Sequence, residues 1–112
     1  LNADDHLRIL DAIDSPAVQV YYDVANMELR GSDIYKEIRQ LGRDRICQIH
    51  AKENESLLGQ GKVDFRKVRE ALDDIQWSGW LVIEAATGGG GFTEEAYQRN
   101  QRFLRTVFPP AI

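Results

Sequence analysis

Three short runs of apolar residues, at 18–22, 46–50 and 80–85, are rich in β-branched and aromatic side chains and too brief for helices. They read as strands. Each loses its apolar character in the direction of the chain. The first ends in Asp23, the second in His50, Lys52 and Glu53, and the third in Glu84. Between them, apolar positions recur with helical spacing. Residues 2–13 carry Leu7, Ile9, Leu10 and Ile13, with Asn2 or Asp4 as a start signal. Ser15-Pro16 stops that helix, because a residue before proline avoids helical geometry. Residues 23–26 read as the start of a loop. Ser32-Asp33 caps a second helix with Ile34, Tyr35, Ile38 and Leu41 on its buried face and Gly42 as terminator. Asp64 caps a third, with Phe65, Val68, Leu72 and Ile75 inward. Thr93-Glu94-Glu95 opens a fourth, with Ala96, Tyr97, Phe103, Leu104, Val107 and Phe108, and Pro109-Pro110 ends it.

The order α-β-α-β-α-β-α predicts an α/β fold with parallel strands joined by crossovers. Asp23, His50 and Glu84 stand about one βα unit apart, at ~30 residues per unit. Counting by twos puts Gln19, Tyr21 and Asp23 on one face, with Ile46, Gln48 and His50, and Val82 with Glu84. The other face, Val18, Val20, Tyr22, Cys47, Ile49, Leu81 and Ile83, is almost wholly apolar. Three parallel strands alone would leave both edges open. A barrel explains the division, with the apolar face under helices and the mixed face leading to a site. The expected fold is therefore the C-terminal portion of a (β/α)8 barrel. Its three parallel strands alternate with four helices, residues 1–112 form the C-terminal half, and the N-terminal half is absent.

Composition narrows the function classes. With 112 residues, 43% hydrophobic and 29% charged, the chain reads as one globular domain. A net charge of −4 argues against a nucleic-acid partner. No apolar run approaches the ~20 residues that span a membrane, and no export signal precedes the first helix. A cytoplasmic location is expected. The single cysteine, Cys47, excludes an intrachain disulfide and reads as a small buried hydrophobe. His6 reads as surface, and Trp77, Trp80 and Tyr97 as core or rim packing.

Asp23, His50 and Glu84, at the ends of three successive barrel strands, would converge on one mouth. Two carboxylates and an imidazole suit one divalent ion, Mn²⁺, Mg²⁺, Co²⁺ or Zn²⁺. Taken singly, each has a plainer use: Asp23 as a turn cap, His50 bonded to a loop, Glu84 paired with an arginine. The recurrence of all three at matching positions favours the metal. Lys52 shares a side with His50 and suits a substrate oxygen or phosphate, although lysines usually sit solvated. Asn26 could contact substrate at the mouth, although asparagine favours turns. Gly59 and Gly61 could cradle a phosphate, but a tight turn is the better account. Gly88 to Gly91 read as a mobile loop, lacking the spacing of a nucleotide site.

Tyr-Tyr-Asp-Val-Ala-Asn, Ile-His-Ala-Lys-Glu, Leu-Gly-Gln-Gly-Lys-Val-Asp-Phe and Gly-Trp-Leu-Val-Ile-Glu together resemble the C-terminal half of the sugar phosphate isomerase/epimerase family, within the xylose isomerase-like barrels. The resemblance covers nearly the whole chain. It implies an ion held by a glutamate, an aspartate, a histidine and a second glutamate. Asp23, His50 and Glu84 match the last three. It also implies that Glu84 is one of two proton-transferring glutamates acting through an enediolate, with a sugar or sugar phosphate as substrate. Asn26 stands where some epimerases carry a histidine, and Ser56 where they carry an arginine; Lys52 fits the members that read His-x-Lys. The first glutamate has no counterpart here, so the isolated chain is expected to be weak or inactive. The alternative is a half-barrel persisting as a self-associating oligomer. An enzyme like endonuclease IV fits poorly, for lack of further ligands and a basic face.

Overall fold

A three-stranded parallel sheet with helices packed on it carries the expected alternation. The structure, a computed structural model, describes residues 1–84 and 93–110. Its elements are α1 (Ala3–Ile13), β1 (Val20–Asp23), α2 (Val24–Leu29), α3 (Ile34–Leu41), a 3-10 turn (Arg43–Arg45), β2 (Ile46–Ala51), α4 (Phe65–Asp74), β3 (Trp80–Ile83) and α5 (Glu94–Val107). The strand order is β1-β2-β3, both pairs parallel. The helices pack in sequence, α1 on α3, α3 on α4 and α4 on α5. The third strand is described from Trp80 to Ile83, with Glu84 just past it; residue 85, where the expected strand ends, and the glycines 88–91 lie outside the described residues.

The starts of the helices follow the sequence closely. Asn2 and Asp5 form a capping box on α1, and Asp33, Asp64 and Thr93 cap α3, α4 and α5 through their side chains. Gly42 ends α3 at φ +80°, a conformation that costs glycine little. Of the expected loop at 23–26, Asp23 ends β1 and residues 24–26 belong to α2, so the described residues hold five α-helices where four were expected. Asp23 caps α2 by accepting the Asn26 N–H at 2.9 Å. On α1 the expected apolar stripe is only partly used: Leu10 is buried, whereas Ile9 and Ile13 are exposed.

The helix-facing side of the sheet is apolar as expected, with Tyr22, Ile49 and Ala51 essentially inaccessible beneath Ile34, Ile38, Val68 and Leu72. Burying a side chain such as Ile49 contributes roughly 1.5–3 kcal/mol. One phase assignment fails. Val20 pairs with Ile46, but the next residue, Tyr21, pairs with Gln48, so Cys47 is an extra, bulged residue. The bulge turns Ile46 into the core and Cys47 outward. Cys47 is therefore exposed, not a buried hydrophobe, and its thiol donates to the Val20 carbonyl at 3.3 Å. Trp77 anchors the same end by donating its indole N–H to the Ile46 carbonyl at 2.8 Å.

Two buried acids tie the layers together. Glu37 of α3 accepts the Ala3 N–H at 2.6 Å and the Tyr22 hydroxyl at 2.8 Å, joining α1, β1 and α3. Glu53, just past β2, is buried and accepts the Val63 N–H at 3.1 Å, with the amides of Gly61 and Lys62 also bonding to it. The glycine loop thus does cradle an anion, but the anion is the protein's own carboxylate. A Cβ on Gly61 would collide with it, so the tight-turn account of this loop is the one the packing supports.

Burial raises the Glu53 carboxyl above its ordinary value of 4.5, against the lowering effect of the bond from Val63. The folded chain therefore holds that proton more tightly than the unfolded chain does. This group's contribution is fully present below the unfolded value and is lost as pH rises through the folded one. Urea unfolding should show wild type gaining stability relative to Glu53→Gln between neutral pH and about pH 5. A constant difference across that range would contradict this account of Glu53.

Candidate metal centre

Strand register assembles the site. Asp23 pairs with His50, and His50 with Val82, so the three lie in one row across the sheet. Two residues further along, Lys52 and Glu84 follow on the same face. The Glu84 N–H still donates to the Ala51 carbonyl at 3.2 Å, which holds the third chain end beside the second.

The side chains then close on one another. Asp23 divides its carboxylate: Oδ1 caps α2, while Oδ2 lies 3.5 Å from His50 Nδ1 and 3.7 Å from Lys52 Nζ. The cap therefore does not compete with a site role but fixes the orientation of the carboxylate. Glu84 Oε2 lies 3.3 Å from His50 Nε2 and 3.2 Å from Lys52 Nζ. Tyr21 stacks on the His50 ring with centroids 4.8 Å apart. Desolvation, then the negative charge of Glu84, raises the Tyr21 phenol above its ordinary value. Glu84 is the most open member, with 45% of its side chain exposed against 16% for Asp23.

Asp23, His50 and Glu84 each offer a ligand atom, and these atoms lie within 4.8 Å of one another. Donors sharing one ion at ~2.0–2.2 Å are themselves roughly 3–4 Å apart. The oxygen and nitrogen donor set and its spacing fit a divalent ion such as Mn²⁺, Mg²⁺, Co²⁺ or Zn²⁺.

The structure brings Lys52 into this cluster. Asn26 sits at its rim, exposed on α2, where it lines a cavity of about 200 Å³ with Tyr21, Asp23, Arg30 and His6. Ser56 is not part of the cluster on the observed bonds; its hydroxyl donates to the Leu57 carbonyl at 3.2 Å. Two neighbours were not singled out from the sequence. Tyr21 was legible, being two residues before Asp23 on the same face. His6 was not, because only the docking of α1 brings it beside β1. It is half-buried rather than surface, and its Nδ1 is buried without a hydrogen-bond partner.

A family model described as a xylose isomerase-like TIM barrel matches residues 2–107. The chain belongs to this family. Among relatives, a putative L-ribulose-5-phosphate 3-epimerase of Escherichia coli is 34% identical over 85 residues, covering 65% of this chain and 29% of that protein. A D-psicose 3-epimerase of Enterocloster bolteae is 28% identical over 89 residues, covering 79% of this chain and 29% of that protein. The chain thus spans under a third of the length of these curated relatives. Among solved structures, a D-psicose 3-epimerase crystallised in the presence of D-fructose superposes with a TM-score of 0.80 at 20% identity. It covers 97% of this chain and 44% of its own. An L-ribulose 3-epimerase gives 0.69 at 20% identity, covering 90% of this chain and 33% of that one. At that identity the superpositions speak for the fold: this xylose isomerase-like chain is a three-stranded portion of a TIM barrel.

Proposed function

We propose that this chain supplies one side of the active site of a divalent-metal-dependent enzyme that epimerises or isomerises a sugar or sugar phosphate. In this reading residues 1–112 are the C-terminal half of the barrel. The observation that carries it is the convergence of Asp23, His50 and Glu84 at successive strand ends, in a chain related to two ketose 3-epimerases. Such a place, at the C-terminal ends of parallel strands, is where barrels of this kind hold their chemistry. An ion bound by the three residues would act as a Lewis acid on the carbonyl and hydroxyl of the ketose.

The protein's own groups divide the remaining work. Glu84, the most exposed of the three, takes the proton from the carbon beside the carbonyl, leaving an enediolate, or in the opposite direction returns a proton to that carbon of the enediolate. A glutamate outside these 112 residues acts on the opposite face. Lys52 offers an ammonium to the anionic oxygen or phosphate of the substrate, and Asn26 contacts it at the rim. A location in the cytoplasm belongs to the same proposal; among the described residues no helix is long and apolar enough to cross a membrane.

A second reading has its own support. Among the described residues β1 and β3 each pair on one side only, and Trp80 and Tyr21 are 75% and 45% exposed. Beside β3 runs a groove lined by Leu72, Trp77, Leu81, Leu104 and Phe108. Such edges and apolar surface favour association, either with the rest of a barrel or with further copies. One experiment separates the two. A barrel containing this chain, incubated with a ketose or ketose phosphate and Mn²⁺ in deuterium oxide, should place deuterium on a carbon beside the carbonyl, carbon 3 for 3-epimerisation or carbon 1 for isomerisation to an aldose. No exchange with the ion bound would overturn the enzyme reading. A stable oligomer of the isolated chain by light scattering, together with no exchange in the complete barrel, would favour the second.

A further inference from the structure

The lysine at the centre of this cluster makes contacts that a substrate ligand alone would not need. Lys52 Nζ lies 3.2 Å from Glu84 Oε2 and 3.7 Å from Asp23 Oδ2. These are the same two oxygens that face the His50 ring, at 3.3 and 3.5 Å. Among the described residues no other lysine or arginine pairs with either carboxylate. The Lys52 side chain is only 18% exposed, although a lysine ordinarily extends its ammonium into water. Two carboxylates gathered at one end of the sheet repel each other unless a cation lies between them, and here the ammonium does.

We propose that Lys52 is the resident counter-cation of the site, holding Asp23 and Glu84 together in the metal-free chain and withdrawing from them when a divalent ion binds. This rests on the metal reading of Asp23, His50 and Glu84 and adds to it an exchange of one cation for another. The ammonium and the ion seek the same two oxygens, so each weakens the binding of the other. Lys52 released in this way is free to face an anionic substrate, so the substrate contact becomes available only in the loaded site. Lys52 is a positioning residue in the empty site and a substrate contact in the full one.

The test is a Mn²⁺ titration of this chain, followed by the resonance of the free ion, in wild type, Lys52→Met, Lys52→Arg and Lys62→Met. Lys52→Met keeps the apolar stem and removes the charge, and should bind Mn²⁺ roughly tenfold more tightly than wild type. Lys52→Arg should stay near wild type. Lys62→Met controls for net charge away from the site and should also stay near wild type. A second measurement does not depend on any variant folding. Amidination of wild-type Lys52 by methyl acetimidate, read by mass spectrometry, should be slow without metal and faster with saturating Mn²⁺, with Lys62 unchanged. Equal or weaker Mn²⁺ binding by Lys52→Met, or a Lys52 reactivity indifferent to Mn²⁺, overturns the counter-cation role alone. Absence of Mn²⁺ binding in wild type and all three variants overturns the metal reading, and the role of Lys52 with it.

Discussion

Glu84→Gln in a complete barrel is expected to lower solvent-deuterium exchange into the ketose by roughly 10²–10⁴-fold, the range typical of losing a positioned general base. The substitution keeps the shape of the side chain but removes its capacity to accept a proton. The fold should tolerate it. Glu84 lies just past β3 with its side chain 45% exposed; its backbone N–H donates to Ala51, which glutamine retains, and the glutamine carbonyl can still accept from Lys52. Exposed substitutions of this kind usually shift stability by about 0.5 kcal/mol or less. Glu84 is also a proposed ligand, so Mn²⁺ affinity must be measured on the same sample. Exchange lost with the ion still bound at saturating Mn²⁺ identifies Glu84 as the base. Exchange retained at saturating Mn²⁺ would remove it from that role.

Much of this arrangement can be followed from the residues, because strand ends carry their chemistry in a fixed phase. Asp23, His50 and Glu84 end three β-branched or aromatic runs one βα unit apart, and parallel pairing does the rest. The helix starts were legible for a similar reason. Asp33, Asp64 and Thr93 are local signals whose partners lie within three residues. The departures come from features with no local signal, or with one that supports two outcomes. The bulge at Cys47 inserts a residue without a glycine to mark it, so period-two counting runs out of phase before Gln48. Asp23 followed by Val-Ala-Asn fits a turn as well as a helix start, and only the burial of Val24, Ala25 and Met27 decides for α2. Glu53, three residues past His50, falls on the opposite side of an extended backbone. Its role as the anchor of the glycine loop depends on amides eight to ten residues later. Asn100, buried in α5 with its side-chain oxygen accepting the Leu58 N–H at 3.0 Å, likewise depends on a partner 42 residues away.

The triad itself is tested most sharply at Asp23, where cap and ligand use different oxygens of one carboxylate. Asparagine can keep the cap, since its carbonyl still accepts from the Asn26 N–H, while the charge facing His50 and Lys52 is gone. Alanine removes both, adding the ~0.5–2 kcal/mol that a lost helix cap costs. Comparison of the two therefore separates loss of the ion from loss of α2. Both should weaken Mn²⁺ binding by more than the roughly 10–100-fold that follows removal of a mere outer-sphere partner, but only Asp23→Ala should also lower the urea midpoint by the cost of the cap.

The decisive measurement is a Mn²⁺ titration of wild type against Asp23→Ala. One ion per chain in wild type, with binding abolished or weakened by more than about 100-fold in the variant, is the predicted result. Wild type and Asp23→Ala titrating indistinguishably would show that the converging side chains of β1, β2 and β3 are not a metal centre.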